Sequence, residues 1–130
     1  MIEKKDLINY FENGCKTENN LRIGVEHEKL LFNNTLNKRI NFETVSKVFN
    51  FLEKFGWKPI KEKNYTVALH KEDKSITLEP GNQIELSGAP LRSVHDNCSE
   101  SYEFLDELKK ACKNYNLRMM ATSFDPFSKL

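Results

Sequence analysis

Apolar and polar residues alternate on both sides of Pro80-Gly81-Asn82, which predicts a β-hairpin within residues 75–91. Successive side chains point to opposite faces of a strand, so each arm has one aliphatic and one polar face. A three-residue loop aligns the arms best, because it pairs aliphatic residues with aliphatic residues. The pairs it predicts are Ile76 with Leu86, Leu78 with Ile84, Thr77 with Glu85, and Glu79 with Gln83.

A second alternating stretch, residues 22–32, predicts a long and central strand. Its polar side carries Glu26 and Glu28, and Gly24 on that side favours close approach by a ligand or another backbone. Carboxylates that face one another across a sheet destabilise it. A hard divalent cation such as Mg²⁺, which takes oxygen ligands, would relieve that repulsion. A solvated polar face alternates in the same way, so both interpretations stay open at this point.

Apolar residues at helical spacing predict three helices, over residues 4–13, 42–55 and 94–115. The second helix is predicted to pack on the sheet through Val45, Val48, Phe49, Leu52 and Phe55. The third helix is predicted to have one apolar face, formed by Val94, Cys98, Tyr102, Leu105, Leu108, Cys112 and Tyr115. Further strands are predicted over residues 57–61, 65–70 and 117–124. The fold class predicted is α+β, a mainly antiparallel sheet with helices on one face and an acidic surface on the other.

Composition narrows the class of protein. The 130 residues are long enough for one domain, residues 1–130, with a substantial core. A net charge of +1, spread evenly along the chain, argues against nucleic-acid and membrane-surface partners. The chain has no apolar run of membrane-spanning length and no secretory signal at its start, so we expect a cytoplasmic protein.

The three cysteines include no CxxC pair, so they indicate neither a disulfide framework nor a zinc site. Cys98 and Cys112 are predicted to be small core residues. Cys15, after the first helix, is predicted to lie at the surface.

Two stretches resemble the N-terminal part of the glutamate-cysteine ligases of the plant and proteobacterial type. They are RIGVEHEKLLF, residues 22–32, and SITLEPGNQIELSGAPLRSVHDNC, residues 75–98. The long LEPGxQxELSGAPL pattern is the more specific, although family members usually have a second glycine where Asn82 stands. Family members are also much longer. We therefore expect the N-terminal part of a longer ligase catalytic domain, with an incomplete glutamine-synthetase-like fold.

The resemblance implies a function. It implies ATP-dependent joining of the γ-carboxylate of L-glutamate to L-cysteine through γ-glutamyl phosphate, the first step of glutathione biosynthesis, with Mg²⁺ required. Glu85 would meet the ammonium group of glutamate, and Arg22 a phosphate or carboxylate unless it forms a strand-end salt bridge. No nucleophile or general base is identified. The implied site residues are Glu26, Glu28 and Glu79 for the metal, and Glu85, Gln83 and Arg22 for substrates.

Other interpretations remain open. The chain is alternatively a fragment that binds Mg²⁺ or an amino acid without catalysis, or part of a carboxylate-amine ligase with another amine substrate. In a purely structural domain, the carboxylates would be solvated or paired with lysines such as Lys29 and Lys74. Self-association through the exposed edges of an incomplete sheet is a further expectation.

Overall fold

A computed structural model describes residues 2–122 and 124–127. Its strands are β1 (Glu26–Asn33), β2 (Lys58–Glu62), β3 (Tyr65–Lys71), β4 (Lys74–Glu79), β5 (Gln83–Ser87) and β6 (Leu117–Met120). Its helices are α1 (Lys4–Gly14), α2 (Phe42–Leu52) and α3 (Val94–Asn114), with short 3₁₀ turns at Glu18–Asn20 and Glu53–Phe55. Neighbouring strands pair antiparallel in the order β2-β3-β4-β5-β1-β6. The predicted α+β class is confirmed.

The β4–β5 hairpin has the predicted register. Ile76 pairs with Leu86 and Leu78 with Ile84, so one aliphatic face runs along both arms. Gly81 and Asn82 both have positive φ, 80° and 63°, as a three-residue loop requires. Glycine adopts this conformation without strain, and asparagine tolerates it better than most residues.

Strand β1 is paired on both sides, with β5 and β6, but it lies next to the edge of the sheet rather than at its centre, and it begins at Glu26 rather than at residue 22. Before that point, Ile23 forms only an isolated bridge with Leu91, because the segment that follows β5 is irregular. The last strand also ends earlier than predicted, at Met120. Residue 123, which also belonged to that predicted strand, lies outside the described residues.

Helix α2 packs on the aliphatic face of the sheet. Val45, Val48, Phe49 and Leu52 are fully buried against sheet residues such as Leu69, which confirms the predicted stripe. The helix begins after Asn41, whose side-chain oxygen accepts a hydrogen bond from the Thr44 backbone N–H at 3.0 Å.

Helix α3 packs on the same side of the sheet but turns a different face inward from the predicted one. Val94 and Tyr102 of the predicted apolar face are 62% and 74% exposed. Leu108 and Cys112 of the predicted face are buried, but the other buried residues of the helix lie outside that face: Asn97, Glu100, Phe104, Glu107 and Ala111. The prediction was wrong because it assumed that polar residues face solvent, whereas three polar side chains of α3 are buried.

Two glutamates on the buried face of α3 have partners that offset the cost of burying a charge. Glu107 Oε2 accepts a hydrogen bond from Trp57 Nε1 at 2.7 Å. Glu100 Oε1 accepts one from the Ala89 backbone N–H at 3.0 Å, and its other oxygen lies 3.8 Å from Lys74 Nζ. Polar contacts therefore hold α3 against the sheet in addition to apolar packing.

A third glutamate makes this attachment dependent on pH. Glu103 accepts hydrogen bonds from Lys71 Nζ at 2.8 Å and Lys74 Nζ at 3.0 Å, which hold the pKa of its carboxyl below the ordinary 4.5. A carboxyl with a lowered folded-state pKa stabilises the fold above its unfolded pKa, and the stabilisation disappears as pH falls through the folded value. We expect Glu103→Gln to destabilise the protein at neutral pH by less than about 1 kcal/mol, because the side chain is 47% exposed.

Urea unfolding at a series of pH values tests this prediction. The difference between wild type and Glu103→Gln should disappear well below pH 4.5, where the carboxyl is protonated in both states. Glu43→Gln is the control, since it removes only an exposed helical pair with Lys47. A destabilisation that is equal at neutral and acidic pH would contradict the assignment.

Helix α1 contacts the sheet little. It has no buried residue, and its apolar side chains Leu7, Ile8 and Phe11 are 54%, 45% and 73% exposed. Among the described residues, no helix is both long enough and apolar enough to cross a bilayer. Self-association stays a prediction. The exposed apolar side chains of α1 form a second surface at which substitutions can test it.

The cysteines differ in environment. Cys112 is buried, as predicted, and burial raises the pKa of its thiol to about 11. Cys98 is exposed, so the prediction of a core position for it is wrong. Cys15 is exposed, as predicted, and all three thiols are free.

Candidate active site

Carboxylates from three adjacent strands share the surface of the sheet opposite α2 and α3. Glu28 of β1 lies directly opposite Glu85 of β5, which lies directly opposite Thr77 of β4. Side chains paired in this way have Cβ atoms about 4.5–5.5 Å apart. We call this surface the acidic face, formed by Glu26, Glu28, Thr77, Glu79, Gln83, Glu85 and Ser87.

Neutral hydrogen-bond donors orient two of these carboxylates. Gln83 Nε2 donates to Glu28 Oε2, and Ser87 Oγ donates to Glu85 Oε1 at 3.0 Å. Thr77 Oγ1, beside Glu85, is buried and has no hydrogen-bond partner among the described residues. The acidic face therefore keeps oxygen atoms close together without neutralising their charge.

The lysines nearest in sequence do not neutralise the acidic face. Lys29 is on the helix side of β1, opposite Ile84, and Lys74 lies beside Glu100 and Glu103 of α3. Burial lowers the pKa of Lys29, and the neighbouring Glu28 only partly opposes this effect. In the described part of the chain, none of the four carboxylates of the acidic face forms an ion pair. The interpretation that Lys29 and Lys74 pair with them is wrong.

Arg22 lies outside the strand that was predicted to orient it. Its Nη1 donates to the backbone carbonyls of Asn19 at 3.2 Å and Leu21 at 2.7 Å. Because β1 begins four residues later, strand alternation does not place Arg22 on the acidic face. That Arg22 binds a phosphate or carboxylate of a substrate remains a prediction, and this geometry does not support it.

Two basic residues that the sequence did not assign to the site lie on the same side of the sheet: the sequence left the side of His70 undecided and gave no sign of Arg118. His70 pairs with Ser75, which pairs with Ser87, so its exposed ring shares the acidic side. Arg118 of β6 pairs with Phe32 of β1, and its buried Nε has no hydrogen-bond partner in the part of the chain that the structure describes. Neither placement is visible in a local pattern, since each depends on the register between separate strands.

The sequence profile of glutamate-cysteine ligase family 2 matches residues 22–130, which include every residue of the acidic face. The chain belongs to glutamate-cysteine ligase family 2. This finding confirms the resemblance carried by the two quoted stretches.

Curated relatives agree with this assignment. The chain is 36% identical over 126 residues to the chloroplastic glutamate-cysteine ligase of Medicago truncatula, an alignment that covers 96% of this chain and 25% of the relative. It is 37% identical to glutamate-cysteine ligase A of Oryza sativa subsp. japonica and 34% identical to the enzyme of Arabidopsis thaliana, with 96% of this chain and 26% and 24% of those relatives covered. This glutamate-cysteine ligase family chain thus spans about a quarter of the length of these relatives.

The names of the relatives correct one expectation. All three are described as chloroplastic, which contradicts the expected cytoplasmic location. That expectation was based on the lack of a secretory signal and of a membrane span, and neither feature distinguishes the cytoplasm from an organelle.

The acidic face of this ligase family chain has donors suited to a hard cation. Glu28 and Glu85 are paired across two strands, and Thr77, whose hydroxyl has no hydrogen-bond partner among the described residues, is paired with Glu85 on the next strand. Among the described residues, no three His, Cys, Asp or Glu side chains converge closely enough to hold a metal alone. This is compatible with Mg²⁺, which proteins usually bind through one or two carboxylates together with water and substrate phosphates.

Repulsion between Glu28 and Glu85 leads to a prediction. In metal-free buffer of low ionic strength, Glu85→Gln should stabilise the protein by about 0.2–1 kcal/mol, because it removes one of two like charges paired across the sheet. The control is Glu79→Gln, since the residue opposite Glu79 is the neutral Gln83. Chemical unfolding measures both variants. An equal gain in stability in the two variants would contradict repulsion between Glu28 and Glu85. So would a gain for Glu85→Gln that does not decrease with added salt.

Proposed function

We propose that this chain supplies the carboxylate surface of an ATP-dependent glutamate-cysteine ligase. The observation that carries the proposal is the acidic face, on which four carboxylates from three strands lie together without a cationic partner in the described residues. Such an arrangement is costly unless cations or cationic substrates occupy it. Membership of the ligase family identifies the reaction to test.

The proposed reaction has two steps. An oxygen of the glutamate γ-carboxylate attacks the terminal phosphorus of ATP, and the bond from that phosphorus to the bridging oxygen breaks to release ADP. The cysteine amine then attacks the γ-carbonyl carbon, the carbon–oxygen bond to phosphate breaks, and the amine loses a proton. Such catalysis rests mainly on positioning and charge stabilisation.

We assign the residues as follows. Glu26, Glu28 and Glu79 would contribute oxygen ligands to Mg²⁺ together with water and substrate phosphates, since no three of these side chains converge on one point, and the metal would supply charge stabilisation for the phosphates. Gln83 orients Glu28 through its hydrogen bond. Glu85, half-buried and hydrogen-bonded to Ser87, would accept the ammonium group of glutamate.

Thermal unfolding with and without Mg²⁺ and ATP tests the binding part of the proposal. At a free concentration ten times Kd, binding to the folded state alone adds about 1.4 kcal/mol of stability. We expect this gain in wild type and its loss in the double variant Glu28→Gln, Glu79→Gln. Glu43→Gln, an exposed carboxylate on α2, is the matched control and should keep the gain. If Mg²⁺ and ATP stabilise wild type and the double variant equally, the acidic face is not the metal site.

A turnover assay separates a ligase from a binding fragment. The chain spans about a quarter of its relatives, so a fragment that binds Mg²⁺ and ATP without catalysis is the second candidate. Phosphate release that requires both glutamate and cysteine supports the ligase. Stabilisation by Mg²⁺ and ATP without such release supports the binding fragment, and replacement of cysteine by another amine tests the substrate class.

A further inference from the structure

Two arginines flank Phe32 on the side of the sheet that carries the acidic face. Arg118 of β6 pairs with Phe32 at one edge of β1, and Arg39 forms an isolated bridge with Phe32 at the other edge. Residues paired in this way point to the same face, and Phe32 shares that face with Glu28, which lies four residues earlier on β1. Four residues of strand span about 13 Å. The acidic face therefore continues along β1 into a surface with cationic side chains.

Arg39 already has partners within the chain. Its Nε lies 2.6 Å from Asp125 Oδ2, and its Nη1 donates to the Gly81 carbonyl at 3.0 Å. Arg39 thus joins the tip of the β4–β5 hairpin to the segment that follows β6. Because a carboxylate and a carbonyl occupy its guanidinium, the role of Arg39 is to hold these segments together.

Arg118 has neither kind of partner. Its Cζ lies 5.9 Å from the centre of the Phe32 ring and 5.5 Å from that of Phe127, so two aromatic rings hold the guanidinium in position. Nε is buried, and a ligand cannot reach it. The two Nη groups are not buried, and among the described residues they have neither a hydrogen-bond acceptor nor a carboxylate. Arg118 therefore offers its outer N–H groups to a ligand on the acidic side.

A guanidinium that is held in place without a counter-charge is suited to an anion. The planar fork of arginine matches the oxygens of a phosphate or carboxylate group, and charge-assisted hydrogen bonds are about twice as strong as neutral ones. ATP stays negatively charged when one Mg²⁺ chelates it, so a nucleotide beside four glutamates needs a protein cation in addition to the metal. Glutamate brings its own ammonium group, and its need for such a cation is smaller. The charges therefore favour a phosphate as the partner of Arg118.

We propose that Arg118 binds a phosphate group of ATP through its two Nη groups, at the end of the acidic side where Phe32 and Phe127 hold it. The inference rests on the proposed function, since it requires the nucleotide on this side of the sheet. It assigns the phosphate contact to Arg118 rather than to Arg22, whose Nη1 donates to backbone carbonyls.

Thermal unfolding with Mg²⁺ alone, and with Mg²⁺ and inorganic tripolyphosphate, tests the contact. Tripolyphosphate carries the phosphates of ATP without the nucleoside, and the rise in stability with its concentration gives an apparent Kd. We expect Arg118→Met to weaken tripolyphosphate binding about ten- to a hundred-fold, the range for a charge-assisted hydrogen bond. Binding of Mg²⁺ alone should change by less than about two-fold, because the carboxylates are distant from Arg118. Arg118→Lys keeps the charge without the fork and should give an intermediate loss.

Lys58→Met is the matched control. Lys58 is exposed on β2 and pairs with His70, so it lies on the same side of the sheet, four strands from β1. Four strands span about 19 Å, beyond the screening length of about 8 Å at physiological salt, so tripolyphosphate binding should change by less than about two-fold. If neither Arg118 variant folds, modification of wild type by phenylglyoxal decides. Tripolyphosphate should slow the reaction at Arg118 and not at the exposed Arg92, and equal rates at Arg118 with and without the anion would overturn the contact.

The outcomes separate this inference from the proposed function. Suppose that Mg²⁺ and tripolyphosphate stabilise wild type but not the Glu28→Gln, Glu79→Gln double variant, and that Arg118→Met binds as tightly as wild type. The ligase proposal then stands and the Arg118 contact is wrong. If the ligands do not stabilise wild type, both fail. Equal weakening in Arg118→Met and Lys58→Met would mean that only the overall charge of this side matters, and weaker binding of L-glutamate instead of tripolyphosphate would mean that Arg118 meets a carboxylate. Either result overturns the phosphate contact.

Discussion

Phe49→Ala is expected to lower the free energy of unfolding by about 3–5 kcal/mol, the largest effect that we expect from a single substitution. Phe49 is fully buried in the core between α2 and the sheet, where its neighbours include Leu69, Ile84 and Leu108. Removal of the ring loses the free energy gained when the ring is transferred from water to the core. It also leaves a cavity that the surrounding strands cannot fill completely. Equilibrium unfolding in urea measures the loss.

Phe11→Ala is the matched control, since Phe11 lies on α1 and is 73% exposed. We expect a change within about 0.5 kcal/mol, as for other surface positions. A loss comparable to that of Phe49→Ala would mean that α1 is packed in solution, either on its own chain or on a second copy. The same result would support the predicted self-association if the loss depended on protein concentration.

Gly88→Ala is expected to destabilise the protein by about 2–4 kcal/mol. A Cβ atom at this position would lie 2.5 Å from Glu100 Oε1 and 3.0 Å from the Val25 carbonyl oxygen. Glu100 cannot move away freely, because Oε1 accepts the Ala89 N–H hydrogen bond. The Val25 carbonyl also accepts the Gly88 N–H at 2.8 Å, so the backbone on that side is held as well.

Gly24→Ala provides the comparison, because a Cβ there would meet only the Gly88 carbonyl oxygen, at 3.8 Å. This is ordinary contact, and we expect a change of less than about 1 kcal/mol. Thermal or urea unfolding of both variants measures the difference. If Gly24→Ala were the more harmful variant, the packing described between β5, β1 and α3 would be incorrect.

The substitutions at Gly88 and Gly24 also test what holds the acidic face in position. Gly88 and Ala89 follow β5 directly, and Glu100 attaches them to α3. Strand β5 carries Gln83, Glu85 and Ser87, so helix α3 stabilises the position of the acidic face from the opposite side of the sheet. Under the proposed function, a destabilised Gly88→Ala variant should also bind Mg²⁺ and ATP less well, whereas Gly24→Ala should not.

Local patterns predicted the parts of the structure that local chemistry controls. The hairpin register followed from alternation together with a loop whose Gly81 and Asn82 accept positive φ. The buried stripe of α2 followed from helical spacing, because that helix buries only apolar side chains and one face of it is entirely apolar. The acidic face was predictable for the same reason, since one residue of register decides the face of every carboxylate.

Patterns failed where a side chain finds its partner far away in sequence. Glu100 and Glu107 are buried on α3 because Ala89, Lys74 and Trp57 supply donors or charge, and no helical pattern contains those residues. Arg118 reaches the acidic side only because β6 pairs with β1 across more than eighty residues of sequence. Arg22 was misplaced because the ladder stops at Glu26, where the partner segment leaves the sheet.

By itself, the sequence determined the fold class, the hairpin, the carboxylates that share one face and the ligase family, because each depends on residues close together in the chain or on a long specific motif. The tertiary structure alone decided the strand order, the buried face of α3, and the pairing of Glu28 with Glu85 without a lysine between them. Those features depend on which surfaces meet when the core is buried, and the free energy of that packing is shared among residues that no local pattern connects.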